Sequence, residues 1–351
     1  MHHACMTAVD MQSNPRPTHW ASVPEAGLTI GLWFVYACHA VFGRVLYRAL
    51  MWPVSWYFVV VRPLARRASI DYQQRLGVLA GDAGRWSAWR AAARHVRHFA
   101  DALLDKALVW TGGIKLDEIR REVDPCFDQA IEANRGGVLV VAHFGNLEVL
   151  RRMGEYAKQL RLHILVHTRH AERFNRMLTR VNPQSAERLL QVTEVDTATI
   201  AHLAARVELG DFVVIAADRV PVTSQRDERR AAPSSSRAPA GGGRAATGGV
   251  RSGVLDVPFL GADAPFPIGP WVLAAALDCP VYWLACYQRP ADRGRYTLVC
   301  ELMRDRVVLP RKTRDAALRE VIADYVRYLE RACREAPLAW FNFFPFWRVS
   351  R

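Results

Sequence analysis

A continuous apolar run, Gly136-Gly-Val-Leu-Val-Val-Ala142, ends abruptly in His143-Phe-Gly-Asn-Leu-Glu148. An apolar run with no alternation is the pattern of a strand buried on both faces, as in a parallel sheet between helix layers. The following residues, 147 to 160, have the composition of a helix, with Asn146 as its N-cap. The sequence therefore predicts a histidine at the C-terminal end of a buried strand and a carboxylate, Glu148, in the first turn of the next helix. In open α/β sheets, ligands bind in the crevice at the carboxyl ends of the strands. A carboxylate there can accept the imidazole N–H, fix the tautomer and leave the other ring nitrogen free to take a proton. A histidine at a strand end is also often just a satisfied polar residue, so the pair needs support from elsewhere in the chain.

The rest of the chain predicts an α/β fold: one layered domain with a mixed sheet flanked by helices, preceded by an apolar N-terminal helical segment. Residues 1–19 are polar and read as disordered, 20–76 as the N-terminal segment, and 77–351 as the main domain after a linker at 77–84. Helical spacing runs from Trp86 to Val109, with Trp89, Ala93, Val96 and Phe99 on one stripe. Strands are expected at Leu162–His167, Phe212–Ala217, Val281–Tyr287 and Tyr296–Leu302, and helices at Glu172–Val181 and Ile200–Glu208. An amphipathic helix over Asp315–Arg334 places Leu318, Val321, Ile322, Tyr325, Tyr328 and Leu329 on one face. Strands alternating with helices argue for a layered α/β domain. Residues 224–253, rich in Arg, Ala, Gly, Ser and Pro, read as a disordered insertion, and a local frameshift would leave the same composition.

Between Leu28 and Val61 large apolar side chains dominate, interrupted by Arg44, Arg48 and Pro53. Neither uninterrupted half reaches the roughly 20 apolar residues that span a bilayer. Arg62, Arg66 and Arg67 follow, and Trp33, Trp52, Trp56 and Tyr57 are the amphipathic rings that favour the headgroup level. The segment suits a helix dipping into or lying on one leaflet against anionic lipid. A single tilted membrane helix and a buried core helix are the alternatives, and a cleaved signal peptide is disfavoured because no charged n-region lies immediately upstream and no clear small-residue site follows.

The formal charge of +13 over 351 residues implies an acidic partner, an anionic lipid surface or nucleic acid. No nucleic-acid recognition motif or zinc spacing accompanies it, so nucleic acid is not expected. The seven scattered cysteines include no C-x-x-C and read as small buried hydrophobes in a reducing compartment. His163, His167 and His170 do not make a metal site: on a strand, positions 163 and 167 lie roughly 13 Å apart. They read as surface or edge histidines. No G-x-S-x-G elbow is present, and no cysteine sits beside a histidine at a strand end, so serine and cysteine nucleophiles are disfavoured.

A second candidate lies at Asp218-Arg219, which follow the strand at 212–217 as His143 follows its own. Asp218 would orient an acceptor and Arg219 would hold a phosphate or carboxylate. A structural ion pair capping the strand is the alternative.

His143-Phe-Gly-Asn-Leu-Glu148 is similar to the H-x4-D/E motif of the lysophospholipid acyltransferase superfamily. Leu209-Gly-Asp-Phe-Val-Val-Ile-Ala-Ala-Asp-Arg-Val-Pro221, Pro258-Phe-Leu-Gly-Ala-Asp-Ala-Pro-Phe-Pro-Ile-Gly-Pro270 and Pro337-Leu-Ala-Trp-Phe-Asn-Phe-Phe-Pro-Phe-Trp347 resemble further blocks in the same order. The resemblance runs from about Trp20 to Trp347 and is nearest to the bacterial lipid A late-acyltransferase branch. Asp-Arg-Val-Pro together with Trp-Phe-Asn-Phe suggests a variant that acylates something other than lipid A.

The resemblance implies transfer of an acyl group from a thioester, on acyl carrier protein or coenzyme A, to a hydroxyl or amine of a membrane-associated lipid or glycolipid. His143 would be the general base and Glu148 its orienting carboxylate. Backbone N–H groups at Gly145 and Asn146 would supply oxyanion donors, and Arg169 would contact substrate. No metal or cofactor is required. The implied partners are acyl carrier protein and anionic membrane lipids. The implied location is the cytoplasmic face of the bacterial inner membrane, peripheral or single-pass. A non-catalytic lipid- or carrier-binding protein and an acyl-thioester hydrolase are the competing readings.

Overall fold

The computed structural model describes residues 26–110, 113–114, 119–149, 160–166, 188–191, 196–219, 253–292 and 295–347. Arg169, His167, His170, the helix expected at 172–181, the polar N-terminus and nearly all of the expected insertion lie outside these residues. In chain order the helices are α1 (Ala26–Val61), α2 (Pro63–Arg75), α3 (Arg85–Trp110), α4 (Pro125–Glu132), α5 (Thr197–Glu208), α6 (Gly269–Leu277) and α7 (Arg314–Glu335). The strands are β1 (Arg120–Val123), β2 (Gly137–Val141), β3 (Leu162–Val166), β4 (Arg188–Gln191), β5 (Phe212–Ala216), β6 (Val254–Phe259), β7 (Ala262–Pro267), β8 (Val281–Tyr287) and β9 (Thr297–Arg304).

Seven strands form one sheet in the order β1-β9-β8-β2-β5-β3-β4. Every neighbouring pair is parallel except β8 and β9. β2 lies between β8 and β5, and all five of its residues are buried. Its side chains alternate between two cores. Val138, Val140 and Ala142 pack with the buried faces of α5, α6 and α7, while Leu139 and Val141 pack on the other side with Val109, Phe127, Phe212 and Tyr282. Burial on both faces is why this strand reads as an unbroken apolar run. The face expected for α7 is the one it buries: Leu318, Val321, Ile322, Tyr325 and Leu329 are nearly inaccessible.

β6 and β7 form a separate antiparallel hairpin where the sequence shows no strand pattern. Pro258, Pro265 and Pro267 interrupt the run, and a two-stranded ribbon tolerates them because neither strand has a second neighbour needing its N–H. Leu260 and Gly261 both have positive φ, 48° and 81°, which suits the two-residue turn joining right-twisted strands.

α1 lies along α3. Tyr47 and Met51 are buried with Leu104 and Leu108, and the Tyr47 hydroxyl donates to the Ala100 carbonyl at 2.8 Å. Gly43 breaks the helix, with φ 70° and ψ 176°. The side of α1 away from α3 exposes Val41, Val45, Leu46, Val54, Tyr57, Val60 and Val61. Trp52 and Trp56, two of the rings expected at a headgroup level, are half-buried against α3. Arg97 lies over Trp52 at 5.1 Å, and Trp56 stacks on Trp86 at 4.8 Å. Among the described residues, no helix is long and apolar enough to cross a membrane.

Cys38, Cys279, Cys286, Cys300 and Cys333 are free and buried, as small apolar residues would be, whereas Cys126 is exposed. His163 corrects the expectation of a surface histidine. It is buried, and its Nε2 is 2.8 Å from Asp211 Oδ2. Asp211 also accepts from Arg161 and Arg206. Burial pushes its carboxyl up, but these three partners overcome that and hold it below its ordinary value.

Candidate active site

Parallel register builds the site. Val138 pairs with Val213 and Val141 with Ala216, and the Ala217 N–H continues the ladder to the Val141 carbonyl at 3.0 Å. Two residues beyond each strand, His143 and Asp218 fall side by side. His143 Nδ1 lies 2.8 Å from Asp218 Oδ1, and the His143 backbone N–H donates to Asp218 Oδ2 at 2.9 Å. A third donor, the indole Nε1 of Trp340, reaches Oδ2 at 3.2 Å.

The Asp218 side chain is 1% exposed, while that of His143 is 40% exposed. Burial alone would raise the Asp218 carboxyl. The His143 charge and hydrogen bonds, with the nearby Arg219 charge, outweigh it and hold the value down to about 2. An ionised carboxylate only accepts, so Nδ1 must carry a proton. In its neutral form the imidazole then presents Nε2 as a lone pair. Among the described residues, Nε2 makes no hydrogen bond.

The carboxylate that orients His143 is therefore Asp218, and the expectation for Glu148 is corrected. Glu148 stands in the first helical turn, as predicted, and its Oε1 pairs with Lys106 Nζ of α3 at 3.1 Å. One Nδ1 proton serves one carboxylate, and strand register delivers Asp218 to it.

Gly145 and Asn146 also differ from expectation. The Gly145 N–H donates to the Ala339 carbonyl at 2.8 Å, and the Asn146 N–H to the Cys286 carbonyl at 2.7 Å. Both are spent on tying the loop to its neighbours, so neither is an oxyanion donor. The Asn146 side chain is buried and internally satisfied. Its Oδ1 accepts from the Glu148 N–H at 3.2 Å, as an N-cap should. Its Nδ2 faces the Tyr296 hydroxyl at 3.3 Å. Tyr296 in turn donates to Asp105 at 2.9 Å, and Asp105 also receives Arg44 from α1 and Gln288. Burial raises the Asp105 carboxyl despite the Arg44 charge.

Gly145 needs to be glycine. Its φ is +66°, and a Cβ there would sit 2.0 Å from the Cys286 carbonyl oxygen. The loop passes so close to β8 that no side chain fits.

Arg219 is half-buried. It donates to the Phe341 carbonyl at 3.3 Å and lies over the Phe344 ring at 5.5 Å. It fastens the C-terminal aromatic segment to the site and adds positive charge beside Asp218. That segment forms one wall. Phe144 bridges Trp340 antiparallel, and the Phe341 N–H donates to the His143 carbonyl at 3.2 Å. Half-buried rings of Phe99, Phe341, Phe343 and Phe58 continue outward from it to α1.

Among the described residues, no group of three or more His, Cys, Asp or Glu is arranged to hold a metal ion. Sequence reasoning missed Trp340 as a site residue, although a tryptophan in so aromatic a segment is a natural N–H donor to a buried carboxylate. Compared with known proteins, the chain matches no family model and no curated protein.

Proposed function

We propose that this protein is an acyltransferase that moves an acyl group from a thioester to a hydroxyl or amine of a membrane-associated lipid. The observation that carries the reading is His143 at a strand end, with Nδ1 on a buried carboxylate and Nε2 making no hydrogen bond among the described residues. That is the geometry of a general base. The motif's resemblance to the lysophospholipid acyltransferase superfamily supplies the reaction class.

Nε2 of His143 takes the proton of the acceptor hydroxyl or amine. The acceptor oxygen or nitrogen attacks the thioester carbonyl carbon, and the tetrahedral intermediate collapses with cleavage of the C–S bond. The thiolate leaves and receives the proton from His143. The products are an ester or amide and a free thiol. A thiolate is a good leaving group, so no covalent enzyme intermediate is needed. The oxyanion draws its donors from groups other than the 145 and 146 amides.

Two features favour an acceptor at a membrane surface. The outer side of α1 is apolar and exposed, and Arg48 and Arg62 are exposed on and just beyond the same helix. A helix of that kind lies in the lipid interface and draws anionic headgroups. The row of half-buried aromatic rings from Phe341 to Phe58 offers an acyl chain an apolar path between that helix and His143. On this reading the protein works as a peripheral enzyme on the cytoplasmic face of an inner membrane, with acyl carrier protein or coenzyme A bearing the donor.

Incubation of the purified protein with a radiolabelled acyl-coenzyme A and vesicles of total bacterial lipid tests the reading. The expected result is label in one lipid with wild type and none with His143→Ala. Release of free fatty acid with no labelled lipid would identify a hydrolase. Vesicle binding without thioester consumption would identify a lipid-binding protein.

A further inference from the structure

Three polar side chains are buried behind the C-terminal aromatic segment, away from the part-exposed His143 ring. Ser69 and Gln73 come from α2 and His95 from α3, and Ser69 and His95 are wholly inaccessible. Buried polar groups are costly unless paired, and here each bond has a fixed direction. His95 Nε2 is 3.0 Å from the Trp340 carbonyl. A carbonyl only accepts, so Nε2 carries the proton and Nδ1 the lone pair. The Ser69 hydroxyl, 2.9 Å from Nδ1, must then donate to it. Gln73 Nε2 donates to the Ser69 oxygen at 3.1 Å. Burial lowers the His95 ring to about 3, so the imidazole stays neutral and its tautomer constant over the physiological range.

The group that His95 clamps is the peptide of the residue that supports the catalytic carboxylate. Trp340 is 1% exposed, and its indole donates to Asp218 Oδ2. Its neighbours bond to the histidine loop on either side, through the Phe341 N–H to His143 and the Gly145 N–H to Ala339. A phenylalanine at position 95 would fill the same space among Tyr72, Phe341 and Phe343. It would not fix a carbonyl in place. A directional clamp at that carbonyl explains why a histidine is buried there.

We propose that His95 is a positioning residue for the His143–Asp218 pair, acting through Trp340. The Trp340 carbonyl sets the His95 tautomer, Ser69 and Gln73 satisfy the other side of the ring, and Trp340, held by His95, aims its indole at Asp218. The readout through turnover rests on the acyltransferase reading, whereas the spectroscopic readout does not.

The test uses the full chain with ¹⁵N-labelled histidine. The Nδ1 proton of His143, bonded to a buried carboxylate, gives a low-field proton resonance identified by its loss in His143→Ala. His95→Gln, which keeps a donor for the carbonyl and an acceptor for Ser69, retains that resonance. Folded His95→Phe and Trp340→Phe lose it to solvent exchange. With the acyl-coenzyme A and vesicle assay, both also lose about 10–100-fold in kcat, with KM within about twofold, as expected for a misaligned base. A wild-type resonance in folded His95→Phe overturns the proposal. Should His95→Phe be insoluble, Trp340→Phe decides, and an unchanged resonance there overturns it equally. If wild type transfers no acyl group, the functional reading falls while the resonance still decides the positioning.

Discussion

Asp218 holds His143 twice, by the ring Nδ1 at 2.8 Å and by the backbone N–H at 2.9 Å. One carboxylate thus fixes both where the imidazole stands and which nitrogen carries its proton. Asp218→Asn offers an amide in its place, whose NH₂ can turn towards Nδ1 and reverse the tautomer. The expected loss in turnover is about 10²–10⁴-fold in a protein that remains folded by circular dichroism. Activity within a few-fold of wild type would remove Asp218 from the mechanism.

Glu148 and Asp218 compete for the role of orienting carboxylate, and their variants separate them. Glu148 is paired with Lys106 at 3.1 Å, at the rim of the site. Such partly exposed pairs contribute modestly. Glu148→Gln is expected to lose no more than about tenfold in turnover, against the much larger loss for Asp218→Asn. Steady-state kinetics on the two variants in parallel checks the order. A reversed order would restore the reading drawn from sequence spacing.

Acid stability carries the same signature. Burial would raise Asp218, but its bonds and the His143 and Arg219 charges bring the folded value to about 2, below its ordinary 3.8. The folded value is the lower one. The group's stabilisation is therefore present in full above 3.8 and is lost as pH falls through about 2. Denaturant unfolding of wild type and Asp218→Asn, compared from pH 5 downward, is expected to show a stability gap that is constant down to about pH 4 and narrows below it. A gap unchanged down to about pH 2 would contradict the assignment.

Gly145→Ala should fail for steric reasons. The positive φ alone costs on the order of 1–3 kcal/mol for a residue with a side chain. The added Cβ would also meet the Cys286 carbonyl at 2.0 Å, where backbone must move on both sides. A fall in thermal midpoint of at least about 4 °C is expected in a scanning calorimeter, together with loss of activity. Wild-type stability would mean the loop rests further from β8 than it does here.

The sequence showed more of the fold than of the site. Unbroken apolar runs identified β2, β5 and β8, because strands buried on both faces cannot hide that pattern. The α7 stripe was equally plain. β1 was not visible, since its Arg120-Arg-Glu-Val lies at the sheet edge with two exposed arginines. His143 and Asp218 were each placed at a strand end, yet their partnership depends on β2 and β5 being neighbours in register, which is a tertiary fact. Glu148 drew the orienting role because it is near in sequence. The amides of Gly145 and Asn146 looked free because their acceptors, Cys286 and Ala339, lie well over a hundred residues away. His95 and Ser69 left a faint signal, as polar residues on the buried sides of otherwise ordinary helices.

The most direct test of acyl transfer by His143 and Asp218 is lipid mass spectrometry on a deletion strain of the host. The strain is complemented in turn with wild type, His143→Ala and Asp218→Asn at equal protein levels. The account predicts one lipid species lighter by a single acyl group in the deletion, restored by wild type and not by His143→Ala, with at most trace restoration by Asp218→Asn. Full restoration by His143→Ala would contradict it.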